Sequence, residues 1–188
     1  MSRIQKVVLP IGIQEYLDGE LVSDVRHEYI DGEVYAMSGG TRNHNRIAGN
    51  IFSLLDGKLE GGPCKPFIND INVRMQTLEN DAFYYPDVVV TCDPEDDHEL
   101  YVEKPSLIVE VLSDSTHRID KNEKFFAYRS LESLNEYVIV SQKKKEVIIA
   151  RKTNQWKPEI LTSDDFELHL TCLAEPIPSS RIYRDEKF

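Results

Sequence analysis

The sequence predicts a mixed α/β fold of the α+β type, in which a central mixed β-sheet is flanked by a few helices. Strand-like apolar runs follow one another through most of the chain, and helical patterns interrupt them at only a few places. The strict strand–helix alternation of doubly wound nucleotide-binding folds is absent, and so is a glycine-rich phosphate loop. A chain of 188 residues is long enough to bury a core of its own. We therefore expect residues 1–188 to form one domain, with its core over about residues 10–170.

The N-terminal third predicts two helices and a hairpin. Over residues 13–21 the apolar residues share one helical face, and over residues 45–59 they again recur at helical spacing before a Gly-Gly-Pro stop. Between these helices, residues 26–37 have the composition of two strands joined at Asp31-Gly32. An Asp-Gly pair indicates a tight turn, because both central residues of a type I′ turn need positive φ.

The rest of the chain predicts strands around one further helix. We expect that helix over about residues 120–131, where Asp120, Lys124 and Tyr128 recur every four residues along one stripe. A hairpin is expected around the turn at 142–145. The strands are short runs of apolar or alternating residues: 66–68, 71–75, 84–90, 107–112, 137–140, 146–150, 156–161 and 166–170.

Composition excludes several classes of protein. No apolar run approaches the roughly 20 residues that a membrane-spanning helix needs, and the N-terminal segment lacks the apolar core of a secretory signal. The three cysteines, Cys64, Cys92 and Cys172, are odd in number and far apart, so neither a zinc ribbon nor a disulfide framework is expected. Together these observations favour a protein of the reducing cytoplasm.

The net charge of −11 gives no sign of a nucleic-acid partner, because phosphate contacts depend on lysine and arginine. It does not exclude one, since binding depends on the local charge of a surface. Part of the negative excess lies at residues 93–99, where we expect a solvated acidic loop. The glycine and the ligand spacing of an EF-hand calcium loop are absent there.

Two carboxylates occupy strand-like runs that are otherwise apolar. Asp87 precedes the valines at 88–90, and Glu110 lies in the middle of the run at 107–112. A buried charge is costly unless it is paired or bound to a metal. The hard oxygen atoms of two carboxylates suit Mg²⁺ or Mn²⁺, and such an ion can activate water for attack on phosphorus. The alternatives are a turn cap at Asp87 and a structural ion pair or edge position at Glu110.

A nuclease of the Asp…Glu-x-Lys type also needs a lysine two positions after the glutamate. That position is Leu112 here. Lys124 is the candidate replacement, because the stripe of the next helix would bring its ammonium to the attacking water or the phosphate if it faces the carboxylates. The alternative is a solvated surface lysine, which is the usual state of a lysine on a helix.

Several segments together resemble one known family. They are RHEYIDGE at 26–33, the histidine at 44, YPDVVV at 85–90, PSLIVEVLS at 105–113, the stripe from 120 to 128 and NEY at 135–137. In order and spacing they are similar to the Uma-two family of bacterial restriction endonucleases, within the PD-(D/E)XK nuclease superfamily.

The resemblance implies a restriction-endonuclease-like fold with a divalent-metal site. It implies that Asp87 and Glu110 are ligands of Mg²⁺ or Mn²⁺, with the backbone carbonyl of Val111 as a third ligand. It also implies that Lys124 is the displaced catalytic lysine and that Glu28 lies near the metal. An ordinary cross-strand partner is the alternative for Glu28.

Four further residues are candidate substrate contacts. Arg42 and Arg46, which lie beside the glycine-rich segment 38–41, are candidates for phosphate contacts. His44, at the predicted helix start, is either a capping or surface residue or a contact to substrate. Tyr128 is either a core residue or a hydrogen-bonding group near the carboxylates.

Two functions from different classes follow from these observations. The preferred hypothesis is a metal-dependent endonuclease that hydrolyses DNA, and a soluble homodimer would match the two-fold symmetry of the duplex. The alternative is a catalytically inactive nuclease-fold module that binds nucleic acid or protein. The acidic balance and the absence of a lysine at Leu112 favour this alternative.

Overall fold

Four helices are present in the part of the chain that is described. The computed structural model describes residues 10–76, 81–112, 124–186 and 188. The helices are α1 (Ile13–Val22), α2 (Arg42–Leu59), α3 (Phe125–Tyr128) and α4 (Ser179–Ile182), and a 3₁₀ turn covers Lys152–Asn154. Within the described ranges, no helix combines the length and the apolar character that crossing a membrane requires.

A six-stranded mixed sheet forms the centre of the fold. Its strands, in spatial order, are β11 (Pro158–Leu161), β10 (Val147–Arg151), β9 (Glu136–Ser141), β8 (Pro105–Leu112), β6 (Val88–Thr91) and β3 (Lys65–Ile68). Neighbours are antiparallel except for β8 and β9, which are parallel. β8 is buried along almost its whole length, which explains its nearly continuous aliphatic sequence.

A second sheet has five strands, all of which come from residues between His27 and Val102. In spatial order they are β2 (Glu33–Ala36), β1 (His27–Ile30), β5 (Asp81–Tyr84), β4 (Asn72–Gln76) and β7 (Tyr101–Val102), and only β4 and β7 are parallel. A short pair, β12 (Glu167–Leu168) with β13 (Ile177–Pro178), completes the strands. Because β5 and β6 belong to different sheets, the segment that carries Asp87 lies between the two sheets.

The central strands of the six-stranded sheet, β6, β8 and β9, are buried on both faces. One face packs against α2, whose apolar residues recur at helical spacing and are buried: Ile47, Ile51 and Leu55. The other face, which includes Ile108 and Leu112 of β8, packs against Tyr128 of α3. Side chains alternate between faces along a strand, so Glu110 projects from this second face, into otherwise apolar surroundings.

Most of the predicted elements are confirmed. The mixed architecture, α1, α2 and the β9–β10 hairpin appear where the periodicity predicts them, although α2 begins at Arg42 rather than at 45. The turn between β1 and β2 has φ of 49° at Asp31 and 90° at Gly32. These positive values are the reason for the Asp-Gly pair at this turn.

Two expected elements differ from the prediction. The run 84–90 is not one strand, because β5 ends at Tyr84 and β6 begins at Val88. Pro86, which has no N–H to donate to a sheet, lies in the break. The third helix ends at Tyr128 rather than near 131, since tight turns follow it, with Ser130 N–H donating to Ala127 O. Asp120, expected at its start, lies outside the described residues.

The expectation that the chain has no disulfide is wrong. Cys64 and Cys92 are bonded, with their Cα atoms 3.9 Å apart. Cys64 directly precedes β3 and Cys92 directly follows β6, and the register that places Lys65 opposite Thr91 makes the two cysteines neighbours. Sequence spacing could not reveal the pair, because it depends on which distant strands lie side by side. Cys172 is the free cysteine.

Candidate active site

A cavity of about 450 Å³ opens where the start of α2, the start of β6 and the end of β8 meet. Its wall contains five of the residues that the sequence singles out: His44, Asp87, Glu110, Val111 and Lys124. The fold therefore brings together groups from four separate stretches of the chain, at the junction of its two larger sheets.

Asp87, which directly precedes β6, lies beside Glu110 of the neighbouring strand β8. β6 and β8 pair with Val88 opposite Val109, and one further step of this antiparallel register places Asp87 beside Glu110. The Asp87 side chain turns toward β8, where its Oδ2 accepts a hydrogen bond from the Val111 backbone N–H at 2.6 Å. This hydrogen bond fixes the carboxylate at the cavity wall.

His44 contacts the same carboxylate oxygen. Its Nε2 lies 3.2 Å from Asp87 Oδ2. The histidine belongs to the first turn of α2, where the hydroxyl of the N-cap residue Thr41 accepts a hydrogen bond from the His44 backbone N–H at 3.1 Å. Gly40 leaves room for the ring, since a Cβ at that position would lie 2.8 Å from His44 Nδ1. The cap and the glycine thus direct the imidazole toward Asp87.

Glu110 is the more deeply buried of the two carboxylates, with 4% of its surface exposed. Its neighbours on the same face of β8, Ile108 and Leu112, belong to the apolar core. A carboxylate in such surroundings needs a cation or hydrogen-bond donors nearby, because its charge has lost most of its hydration.

Lys124 brings a positive charge to this position. Its Nζ lies 2.7 Å from Glu28 Oε1 and 3.8 Å from Glu110 Oε1, and 5.6 Å from the centre of the Tyr84 ring. Lys124 is itself buried, so the alternative of a solvated surface lysine is wrong. Glu28 Oε1 also accepts a hydrogen bond from the Tyr85 backbone N–H at 3.3 Å. Glu28 therefore holds the ammonium beside Glu110.

Comparisons with known proteins agree with the resemblance seen in the sequence. The sequence model of the Uma2 family, described as "Putative restriction endonuclease", matches residues 13–175. The chain belongs to the Uma2 family. Two proteins of Synechocystis sp., both described as uncharacterized, are each 36% identical to this Uma2 chain. One match spans 159 residues, 82% of this chain and 83% of the relative, and the other spans 131 residues, 68% and 73% respectively.

A solved structure shares the fold of this Uma2 protein. It is the crystal structure of a protein from Anabaena variabilis ATCC 29413, described as "a putative nuclease belonging to DUF820". The match has a TM-score of 0.69 and covers 88% of this chain and 96% of that chain, with 13% sequence identity. At this identity the likeness concerns the fold alone, and it confirms the expected restriction-endonuclease-like fold.

Three of the expected substrate contacts in this Uma2 protein lie on α2. His44 is in the cavity wall, whereas Arg42 and Arg46 are exposed and are absent from that wall as far as the structure describes it. Residues two positions apart on a helix do not face the same way, so a helix that turns His44 inward turns both arginines away. Arg46 instead approaches Asp185 at 3.9 Å. Arg26 lines the cavity instead.

Tyr128, the fourth expected contact, is fully buried. Its ring packs against the rings of Tyr84 and Tyr137, each with a centroid distance of 5.8 Å. Its hydroxyl has no hydrogen-bond partner within the part of the chain that the structure describes. Burial, followed by the charges of Glu110 and Glu28, raises the pKa of this phenol well above its usual value. The structure thus places Tyr128 in the core beneath the carboxylates, away from the surface of the cavity.

Sequence reasoning missed a buried glutamate under the site. Glu20 accepts hydrogen bonds from the Tyr85 hydroxyl at 3.0 Å and the His27 backbone N–H at 3.1 Å, and its Oε1 lies 2.8 Å from His27 Nδ1. It shares the buried face of α1 with Tyr16 and Leu17. The available signal was a charged residue at a position where the helical pattern places an apolar one. Glu110 gave the same signal in a strand pattern.

The oxygen donors of the cavity fit a divalent cation by their chemistry. Asp87 and Glu110 offer carboxylate oxygens, and Mg²⁺ typically takes one or two protein carboxylates together with waters. Among residues 10–76, 81–112 and 124–186, no three His, Cys, Asp or Glu side chains are arranged to hold a metal ion. A preformed cage of side chains is therefore absent from these ranges.

Proposed function

We propose that this Uma2 protein is a divalent-metal-dependent endonuclease that hydrolyses phosphodiester bonds of DNA. The observation that supports this most strongly is the convergence of Asp87, Glu110 and Lys124 on one cavity. Two carboxylates and a lysine are the groups that the chemistry needs. They come from the residue before β6, from β8 and from the residue before α3, which are separated in sequence.

The charges of the cavity support the need for a cation. A phosphodiester is anionic, and here it would approach two carboxylates, which repel it unless positive charge lies between them. Asp87, Glu110 and the Val111 carbonyl would hold Mg²⁺ or Mn²⁺. When bound, such an ion supplies an activated water and offsets the charge that develops on the phosphate.

Each side chain of the cavity has a separate task in this proposal. Asp87 is oriented by the Val111 N–H on one side and His44 on the other. Lys124 donates a hydrogen bond to a phosphate oxygen or to the attacking water, and thus stabilises negative charge in the transition state. Glu28 holds the ammonium at 2.7 Å, so that Lys124 needs little reorganisation during the reaction.

Hydrolysis of plasmid DNA tests the proposal. Purified protein should nick or cut supercoiled DNA with Mg²⁺ or Mn²⁺ and lose this activity with EDTA. Asp87→Asn and Glu110→Gln should abolish cleavage and weaken Mn²⁺ binding measured by calorimetry. The matched controls Asp164→Asn and Glu175→Gln, whose side chains are 94% and 81% exposed, should behave like wild type. Cleavage that persists in both cavity variants would exclude the proposed site.

The same cavity also allows a non-catalytic function. Asp87 Oδ2 already has two partners, and Lys124 lies closer to Glu28 than to Glu110. Both features would suit an inactive nuclease-fold module that binds nucleic acid or protein. Such a module would show no Mn²⁺ binding at millimolar concentrations and no cleavage, so the same two measurements separate the alternatives.

Cleavage of both strands of a duplex needs two such cavities. We therefore propose a homodimer as the active form, because a two-fold axis matches the symmetry of duplex DNA. Light scattering on the protein with and without a short duplex tests this assembly. A monomer that nicks only one strand would leave the chemistry intact and exclude the dimer.

A further inference from the structure

We infer that Gln142 is a positioning residue of the proposed active site. It lies outside the cavity and acts through the residues that it contacts. Gln142 directly follows β9 and is buried. β9 runs parallel to β8 with Ser141 opposite Leu112, so the next residue lies beside the end of β8. There the Gln142 side chain reaches two elements that carry site residues. This inference rests on the proposed function.

The side-chain amide of Gln142 joins β8 to the start of α2. Its Nε2 donates a hydrogen bond to the Leu112 carbonyl at 2.8 Å, and its Oε1 accepts one from the Thr41 hydroxyl. The chemistry assigns the orientation of the amide, because a carbonyl oxygen only accepts and therefore faces the NH₂ group. The Thr41 hydroxyl accepts from the His44 N–H, so its own hydrogen is directed to Gln142.

These contacts close a ring around the site. From Gln142 the ring passes to Leu112, along β8 to Val111, and across to Asp87 through the 2.6 Å hydrogen bond. The remaining members are His44, which contacts Asp87 at 3.2 Å, and Thr41, which leads back to Gln142.

Removal of one member of the ring breaks the link between β8 and α2. Without the amide, the buried Leu112 carbonyl loses its hydrogen bond, Thr41 loses its contact with Gln142, and the first turn of α2 is free to shift. His44 would then leave its place beside Asp87. A displacement of about 1 Å in an active site can lower the rate about a hundredfold, although Gln142 itself touches no reacting atom.

Substitutions at both ends of the link test the inference. Gln142→Leu removes both hydrogen bonds at nearly constant volume, and Thr41→Val removes the hydroxyl that donates one of them. Each should lower kcat for plasmid nicking about ten- to hundredfold, with KM close to that of wild type. Each should also shift the ring nitrogen resonance of His44, assigned in ¹⁵N NMR spectra by comparison with His44→Asn.

Three controls separate positioning from general damage. Thr41→Ser keeps the hydroxyl and should retain activity and the His44 resonance. Gln14→Leu makes the same chemical change on the exposed face of α1, where Gln14 bonds only Asp18 at 2.9 Å in the described structure, and it should behave like wild type. The double variant Thr41→Val/Gln142→Leu should be no slower than the slower single variant, because both break one link.

The outcomes distinguish this inference from the proposed function. An unchanged His44 resonance in Gln142→Leu, or effects that multiply in the double variant, would overturn the role of Gln142. If wild-type protein cleaves no DNA, the proposed function fails, and the His44 resonance still decides whether Gln142 positions the histidine. If Gln142→Leu does not fold, Gln142→Met, which also makes neither hydrogen bond, tests the same link.

Discussion

The ammonium of Lys124 lies 2.7 Å from a carboxylate oxygen of Glu28, at a place where both side chains are largely withdrawn from water. The same ammonium is 3.8 Å from Glu110. One buried cation therefore offsets two carboxylates, and each of the three charges depends on the others for its place in the fold. A substitution of one of these three side chains should therefore change both the free energy of unfolding and the proposed activity.

A double-mutant cycle should measure the coupling between Glu28 and Lys124. Lys124→Met removes a cation that contacts both Glu28 and Glu110, so we expect a clear loss of the free energy of unfolding. Glu28→Gln should cost less, because Lys124 keeps Glu110 as a partner. Urea denaturation of the single and double variants should give a coupling of about 1–3 kcal/mol. Strictly additive effects would show that the contact contributes nothing to stability.

Gly40 should be essential for the position of His44, whereas Gly39 should not. A Cβ at Gly40 would lie 2.8 Å from His44 Nδ1, while a Cβ at Gly39 would have nothing within 4 Å. The imidazole can rotate away at little cost, so Gly40→Ala should keep its melting temperature and yet move the ring off Asp87. We expect nicking by Gly40→Ala to fall about tenfold or more, with Gly39→Ala as the matched control. Equal activity of the two variants would contradict this placement of the ring.

The sequence was sufficient for those parts of the fold that depend on local pattern. Helical spacing predicted α1 and α2, and the Asp31-Gly32 turn followed from the φ values that such a turn requires. Asp87 and Glu110 were identified because a carboxylate in an apolar strand calls for a physical explanation. That reasoning needed no knowledge of which strands are neighbours.

The contacts that shape the site could not be predicted in this way. His44 meets Asp87, and Gln142 meets Thr41, through the pairing of distant strands and the direction of α2, which no local pattern encodes. The Cys64–Cys92 bond was missed for the same reason. The helix position alone also could not distinguish a buried Lys124 from a solvated one.

Cys172 should react slowly with alkylating reagents at neutral pH. Burial, followed by the charge of Glu136, raises the pKa of its thiol from 9.0 to about 11. A raised pKa favours the neutral thiol, so the thiolate fraction at neutral pH is about a hundredfold lower than for an ordinary cysteine, and it rises up to about pH 11. Alkylation by iodoacetamide, followed by mass spectrometry between pH 7 and 10, measures this dependence.

The thiol count provides the control for that measurement. Denatured protein should show one reactive thiol without a reductant and three after reduction, because Cys64 and Cys92 are bonded to each other. Cys172→Ser should show none without a reductant. Fast alkylation of native wild-type protein at pH 7 would contradict the raised pKa of the Cys172 thiol.

Glu136 should be the most important carboxylate for the stability of the C-terminal region. It is almost fully buried, its Oε1 accepts a hydrogen bond from Arg151 at 3.0 Å, and its Oε2 accepts two from the N–H and hydroxyl of Thr171 at 2.7 and 2.9 Å. Glu136→Gln removes the charge that Arg151 faces and places an NH₂ group against one of these donors. We expect a loss of about 3 kcal/mol in the free energy of unfolding.

The same arginine offers a matched control for this prediction. Arg151 Nη1 also contacts Glu159 at 2.6 Å, but that carboxylate is 53% exposed. Water and salt screen an exposed pair, so Glu159→Gln should cost less than about 1 kcal/mol. Denaturation in low and high salt should reduce the effect of Glu159→Gln further and leave that of Glu136→Gln almost unchanged, because buried charges are screened less. Similar costs for the two variants would show that burial does not set the strength of these contacts to Arg151.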